Sequence, residues 1–171
     1  MVRGGTALTS GQLSSYTVQS GDVITYAITV GDSSGSAPTT TTVTETVPAN
    51  TSYTGSGEGW SCAAGSVAST SCTQSVTETP GTPVTKNFTV TVGTLPVSGT
   101  LVTSISNTVS LTAGTCTGSA CSSTVSTNVG ARVRISKTGP ASLPLGGAVT
   151  YRVTLTNDGG SPTSGVITFA D

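Results

Sequence analysis

Four cysteines carry the most readable chemistry in this sequence, because they fall in two close pairs. Cys62 and Cys72 bracket nine residues, and Cys116 and Cys121 bracket four. Thiols this near to one another either oxidise to disulfides or share a metal ion. Zinc needs a closed ligand set, and the chain has no histidine to help complete one around the isolated second pair. The spacing therefore favours two local disulfides over a zinc site. Each small loop so closed contributes roughly 2–3 kcal/mol on a chain-entropy estimate. Disulfides persist outside the reducing cytosol, so the expected location is extracellular or on a cell surface.

Other reactive groups are sparse. General acid–base catalysis relies most often on histidine, and its absence removes Ser-His-Asp triads and His-based metal sites together. Glycosidase-type carboxylate pairs stay open in form, but the seven acids stand singly along the chain. Glu45 and Asp171 sit at strand ends, where a turn or edge hydrogen bond accounts for them. Lys86 beside Asn87 raises a different chemistry, the Lys–Asn isopeptide bond that staples some bacterial adhesin domains. That bond needs the two groups on neighbouring strands with a buried acid, and adjacent residues of one strand point to opposite faces. Trp60, in the loop Gly55-Ser56-Gly57-Glu58-Gly59-Trp60, is the one candidate for stacking on a sugar; packing over the Cys62–Cys72 bridge is the plainer reading. The sequons Asn50-Thr51-Ser52 and Asn87-Phe88-Thr89 arise easily by chance. The expectation is a protein that is not an enzyme, with no catalytic, metal or cofactor site.

Composition narrows the partners. With six Lys and Arg residues and a net charge of −1, the chain offers no clustered positive charge for phosphate, so nucleic acid is excluded as a partner. Arg132, Arg134 and Lys137 come nearest to a cluster and read as a solvated, exposed edge. No apolar run reaches the length of a membrane span. Met1-Val2-Arg3-Gly4-Gly5 leads into polar sequence without a signal-peptide pattern, which reads as a mature product or an excised fragment. Only 8% of residues are charged and roughly a third are Ser or Thr, alongside many Val and Ile. Disordered chains are rich in charge and poor in β-branched residues, so this is a folded, β-rich composition.

Period-two alternation supplies the elements. Ile24, Tyr26, Ile28 and Val30 share one face against Thr25, Ala27 and Thr29. Phe88, Val90 and Val92 alternate in the same way over Val84 to Val92, and Thr41–Val47, Thr51–Thr54, Leu101–Leu111 and Ser122–Val129 read as further strands. Prolines fall between these runs, where a missing N–H breaks no ladder. Many short strands between turns predict an all-β chain folded as an immunoglobulin-like Greek-key β-sandwich.

The alternation repeats at domain length. Gly21-Asp22-Val23-Ile24-Thr25-Tyr26-Ala27-Ile28-Thr29-Val30 returns as Gly146-Gly147-Ala148-Val149-Thr150-Tyr151-Arg152-Val153-Thr154-Leu155, offset by 125 positions. Both are followed by a Gly/Ser loop with a proline (Pro38, Pro162) and a strand-like run to an acid. The organisation expected is one complete module over residues 1–130, a hinge at Gly130-Ala131, and the first strands of a second module over residues 131–171. Tandem modules serve spacing, display or assembly more often than chemistry.

These residues also carry a family resemblance. Ser136-Lys137-Thr138-Gly139-Pro140, Gly146 to Tyr151 and Asn157-Asp158-Gly159 together resemble the opening of the bacterial and archaeal surface repeat catalogued as domain of unknown function eleven. Thr44-Glu45-Thr46-Val47-Pro48-Ala49-Asn50 is similar to that family's acid-Thr-Leu-Pro-Ala turn. Gly59-Trp60-Ser61-Cys62 through Cys72-Thr73 is similar to its Trp-x-Cys…Cys hairpin. The resemblance covers most of the chain. It implies an immunoglobulin-like sandwich in long secreted or surface-anchored proteins, and it brings no catalytic residues. Residues 11–15, aligned with the Ser-Lys-Thr-Gly opening, lack its lysine and its apolar alternation.

The function expected is a non-enzymatic structural module of an extracellular stalk or filament. In residues 132–171 an open half-sandwich would leave Val133, Ile135, Val149, Tyr151, Val153, Leu155, Ile167 and Phe169 exposed, which is costly and prone to aggregation. Strand addition from copies of itself or neighbouring modules of the same protein would cover them, giving head-to-tail assembly. The weak opening, Gly4 to Gln12, hints at an assembly element at that end too. The alternative is an adhesin or carbohydrate-binding module that uses Trp60 on cell-surface glycans.

Overall fold

The alternating Val, Ile and Thr residues form twelve strands among the described residues, and no helix, in the computed structural model. The structure describes residues 2–3, 6–7, 17–31, 37–55, 57–95, 102–111, 116, 121–131, 133–142, 144–157, 159, 162–163 and 166–170. The strands are β1 (Val2–Arg3), β2 (Thr6–Ala7), β3 (Thr17–Val18), β4 (Val23–Val30), β5 (Thr39–Thr46) and β6 (Thr51–Tyr53). They continue with β7 (Ser71–Glu78), β8 (Val84–Val92), β9 (Ser104–Leu111), β10 (Ser122–Val129), β11 (Val133–Thr138) and β12 (Arg152–Asn157). Pro96, Leu101, Arg132, Asp158, Asp171 and most of Gly4 to Gln12 lie outside the described residues.

Two sheets make the sandwich. One has the order β3-β10-β9-β5-β7 and the other β4-β8-β6. The chain changes sheet at every connection from β3 to β9, while β3 runs parallel to β10. This is the immunoglobulin-like Greek-key arrangement. One excursion interrupts the larger sheet: β5 and β7 pair along all eight residues, yet β6 lies between them in sequence and crosses to the smaller sheet. A tight turn makes the crossing, with Asn50 at φ 63° and the Thr51 hydroxyl donating to the Pro48 carbonyl at 2.8 Å.

Inward faces close over one core. From the smaller sheet come Ile24, Tyr26, Ile28, Val30, Phe88, Val90 and Val92; from the larger come Val43, Val76, Ile105 and Val129. The outer faces are joined by hydroxyls across neighbouring strands. Thr25 meets Thr89 at 3.2 Å, Thr29 meets Thr85 at 3.0 Å, and Thr40–Thr77 and Thr108–Thr124 each meet at 2.8 Å. Such cross-strand pairs contribute roughly 0.2–1 kcal/mol each, which gives the Ser/Thr-rich composition its structural use.

Gly130 and Ala131 are more firmly held than a hinge. The Gly130 N–H donates to the Val18 carbonyl at 2.9 Å, and Gln19 Nε2 donates to the Ala131 carbonyl at 3.1 Å. A Cβ on Gly130 would sit 2.9 Å from the Thr17 Cβ and closer still to its hydroxyl. Gly130→Ala is therefore expected to push β3 off β10 and lower stability by about 1–3 kcal/mol, the usual cost of overpacking. Denaturant unfolding with amide exchange at residue 130 checks this, and unchanged protection there would refute it.

Beyond Gly130, β11 and β12 form an antiparallel hairpin that pairs Lys137 with Val153 and Ile135 with Leu155. Every residue of β11 is exposed. Two expected strands are shorter or missing: the alternating residues 148–151 lie outside β12, and residues 166–170 join no ladder among the described residues. Alternation provides a face, but a strand also needs a partner for its N–H and C=O groups. Arg134 and Lys137 are exposed, as the solvated-edge reading expects, and Arg132 lies outside the described residues. Lys137 differs in parity from Arg134, so it stands with Ile135 and Val133 on the apolar side of the hairpin.

Candidate functional site

The strand pattern of β5 sends Thr41, Val43 and Glu45 inward, and that of β9 sends Ile105 and Asn107 inward. These two strands pair with Glu45 opposite Val109, which brings Glu45 and Asn107 side by side on the core face. Asn107 Nδ2 donates to Glu45 Oε1 at 3.0 Å. Glu45 is 0% exposed and Asn107 3%. Burial pushes the Glu45 carboxyl up to about 7, with the hydrogen bond from Asn107 opposing the rise. Glu45 Oε2 and Asn107 Oδ1 both lack a partner. Burial also pushes the Tyr26 phenol up to about 12, so it keeps its proton.

These groups line a groove of about 470 Å³ between the edge strand β4 and strands β9 and β10. Tyr26, Ile28, Val109 and Val125 supply its apolar wall. A buried acid near neutrality, beside an amide with an unused oxygen, is suited to passing a proton to or from a third group. The expectation of a strand-end hydrogen bond for Glu45 is thus replaced by a core-facing pair, and Asn107 was not singled out in the sequence at all. Parity held the signal: Glu45 alternates with Val43 and Val47, and Asn107 with Ile105 and Val109.

Both cysteine pairs are bonded, Cys62 to Cys72 and Cys116 to Cys121, with Cα separations of 5.0 and 5.4 Å. Two disulfides fit an oxidising environment outside the cytoplasm. Trp60 departs from the sugar-stacking candidacy. It is 7% exposed, its ring meets Phe88 edge-on at 5.1 Å, and its Nε1 donates to the Asn87 carbonyl at 2.8 Å. Neither ring face is presented as a platform. Lys86 and Asn87 do not form a pair on one strand face, but both reach Glu58: Nζ lies 3.7 Å from Oε2, and the Asn87 amide donates to Oε1 at 3.2 Å.

The assembly candidates lie together on the hairpin and the segment beyond it. Val133, Ile135, Val149, Tyr151, Leu155, Ile167 and Phe169 are each more than a third exposed, and Val153 is partly buried. Lys137 Nζ sits 4.4 Å above the Tyr151 ring, and that ring lies so close to Gly139 that a Cβ there would be 2.5 Å from its edge. No helix among the described residues is long and apolar enough to cross a membrane. Comparison with protein-family models, with curated proteins and with solved structures found no match.

Proposed function

We propose that this chain is a non-enzymatic structural module of an extracellular stalk or filament, assembled head to tail by exchange of strands between copies. The carrying observation is the row of exposed apolar residues on β11, β12 and residues 166–170. Apolar surface on an unpaired sheet is a template for another strand. The occupant is a second copy, and the internal repeat supports that choice. Strand β12 repeats β4 in sequence, and β4 is an edge strand of its sheet. A β11 strand that pairs with β12 at home finds the same kind of partner in β4 of a neighbour, which is the logic of domain swapping. On this reading residues 131–171 are the first strands of a second module, as in the surface repeats that the chain resembles. Glycan binding loses its motive with Trp60 in the core.

Light scattering over a concentration series, with electron microscopy of the same samples, tests the proposal. The expected result is a ladder of oligomers growing into thin filaments, and Ile135→Asp held as monomer. Wild-type chain that stays monomeric at every concentration would overturn it, and so would an Ile135→Asp variant that still polymerises.

A further inference from the structure

Three observations converge on the groove beside β4. Glu45 and Asn107 face it with an unpartnered oxygen each, both more than nine-tenths buried. Lys137, exposed and with its Nζ 4.4 Å above the Tyr151 ring, shares the face of Val133 and Ile135 on β11 and lies directly opposite Val153. The 125-residue repeat maps Val153 onto Ile28 and Tyr151 onto Tyr26, both of which line the groove. A β11 strand laid along β4 in the register that it keeps on β12 therefore sets Lys137 opposite Ile28, on the face turned towards Glu45 and Asn107 of the other sheet. The corresponding residue of the first repeat is Gln12, which has no amine. The first module's own lysine, Lys86, pairs opposite Ile28 from β8 and lies 3.7 Å from Glu58, so the amine placed on the free side of β4 is Lys137 of the second module.

Resting on the strand-exchange reading, we infer that Asn107 is the acyl acceptor for the side-chain amine of Lys137 from a second copy. Glu45 carries the protons, and the product is a covalent amide crosslink between copies. Entry into an apolar groove disfavours the ammonium form, so Lys137 gives up a proton and presents a lone pair. The Nζ atom attacks Asn107 Cγ, forming the Nζ–Cγ bond as the carbonyl electrons move to Oδ1. Protonated Glu45 can donate to that oxygen, and its carboxylate then takes the second proton from Nζ. As the tetrahedral centre collapses the Cγ–Nδ2 bond breaks, and Nδ2 leaves as ammonia with a proton from Glu45, to which it is already hydrogen-bonded at 3.0 Å, while the Oδ1 hydroxyl returns its proton to Glu45 and the carbonyl re-forms. An amine and a primary amide become a secondary amide and ammonia. Nothing is oxidised or reduced, and Glu45 ends as it began.

The test separates this chemistry from assembly. Full-length chain carrying Lys137→Arg serves as acceptor, and a fluorescent peptide of residues 132–142 serves as donor. Intact-mass measurement should find an adduct at the summed masses less one ammonia, with fragmentation placing the link at Asn107. Asn107→Ala, Glu45→Gln and a peptide carrying Lys137→Arg should each abolish it; the last variant leaves the acceptor's fold untouched. Absence of adduct from the wild-type pair, or its persistence in Asn107→Ala, overturns the inference. Peptide that binds by anisotropy without forming adduct overturns the crosslink and leaves strand exchange standing. An adduct from a chain that never forms oligomers keeps the crosslink chemistry and overturns the head-to-tail reading alone.

Discussion

Trp60→Ala lowers the unfolding free energy by about 3–5 kcal/mol, the range found for truncating a large buried aromatic residue. Three contributions act together. The indole is buried and packs edge-on to Phe88, which also stacks on Tyr53 at 4.8 Å, so one truncation loosens a three-ring cluster. Removing the indole also leaves a cavity against Phe88. The Asn87 carbonyl loses the donor that meets it at 2.8 Å. A ring waiting on the surface for a sugar would behave otherwise, since its truncation would change stability by no more than about 0.5 kcal/mol either way. Urea unfolding of the two proteins distinguishes the cases, and a difference within that narrow range would return Trp60 to the surface.

Glu45 should make stability fall as pH rises through neutrality. Its carboxyl moves from the ordinary value of 4.5 when unfolded to about 7 in the fold, because burial penalises the charge. Between those two values the folded chain holds a proton that the unfolded chain has released. The acid's contribution is therefore intact below about pH 4.5 and is lost progressively as the pH climbs to the folded value. A displacement of this size corresponds to roughly 3 kcal/mol across that window. Glutamine keeps the shape and does not titrate, so Glu45→Gln should flatten this part of the profile and exceed the wild type in stability above pH 8. Denaturant unfolding between pH 4 and 9 measures the difference between the two proteins, in which other groups cancel. Parallel profiles would show that Glu45 is not held neutral.

Much of the sandwich was legible because a half-buried strand writes its two faces in alternate letters. Val84–Val92 carries that signature except at Lys86 and is a strand over the same residues, and Val23–Val30 follows closely. The excursion of β6 between β5 and β7 was not legible, since pairing order depends on contacts far apart in sequence. Residues 166–170 show why alternation is insufficient: apolar letters recur there, but no neighbouring backbone completes a ladder among the described residues. The disulfides followed from spacing, which limits a short loop to few geometries. The pair of Glu45 and Asn107 escaped for a different reason. A polar residue facing inward looks, in sequence, like a break in the hydrophobic pattern, and only its parity betrays it. Lys137 is exposed together with Arg134, and parity adds that it shares its strand face with Ile135.

The threonine and serine pairs on the outer faces have a consequence for where such a protein can work. Hydroxyl pairs such as Ser106–Ser126 and Thr108–Thr124, both at 2.8 Å, involve no net charge on either partner. Dissolved ions weaken attractions between exposed charges, but they screen dipoles at hydrogen-bonding distance very little. With a net charge of −1, the chain also gains or loses little overall self-repulsion as ions are added. A sandwich joined by such pairs is expected to keep nearly the same unfolding free energy from low to high salt.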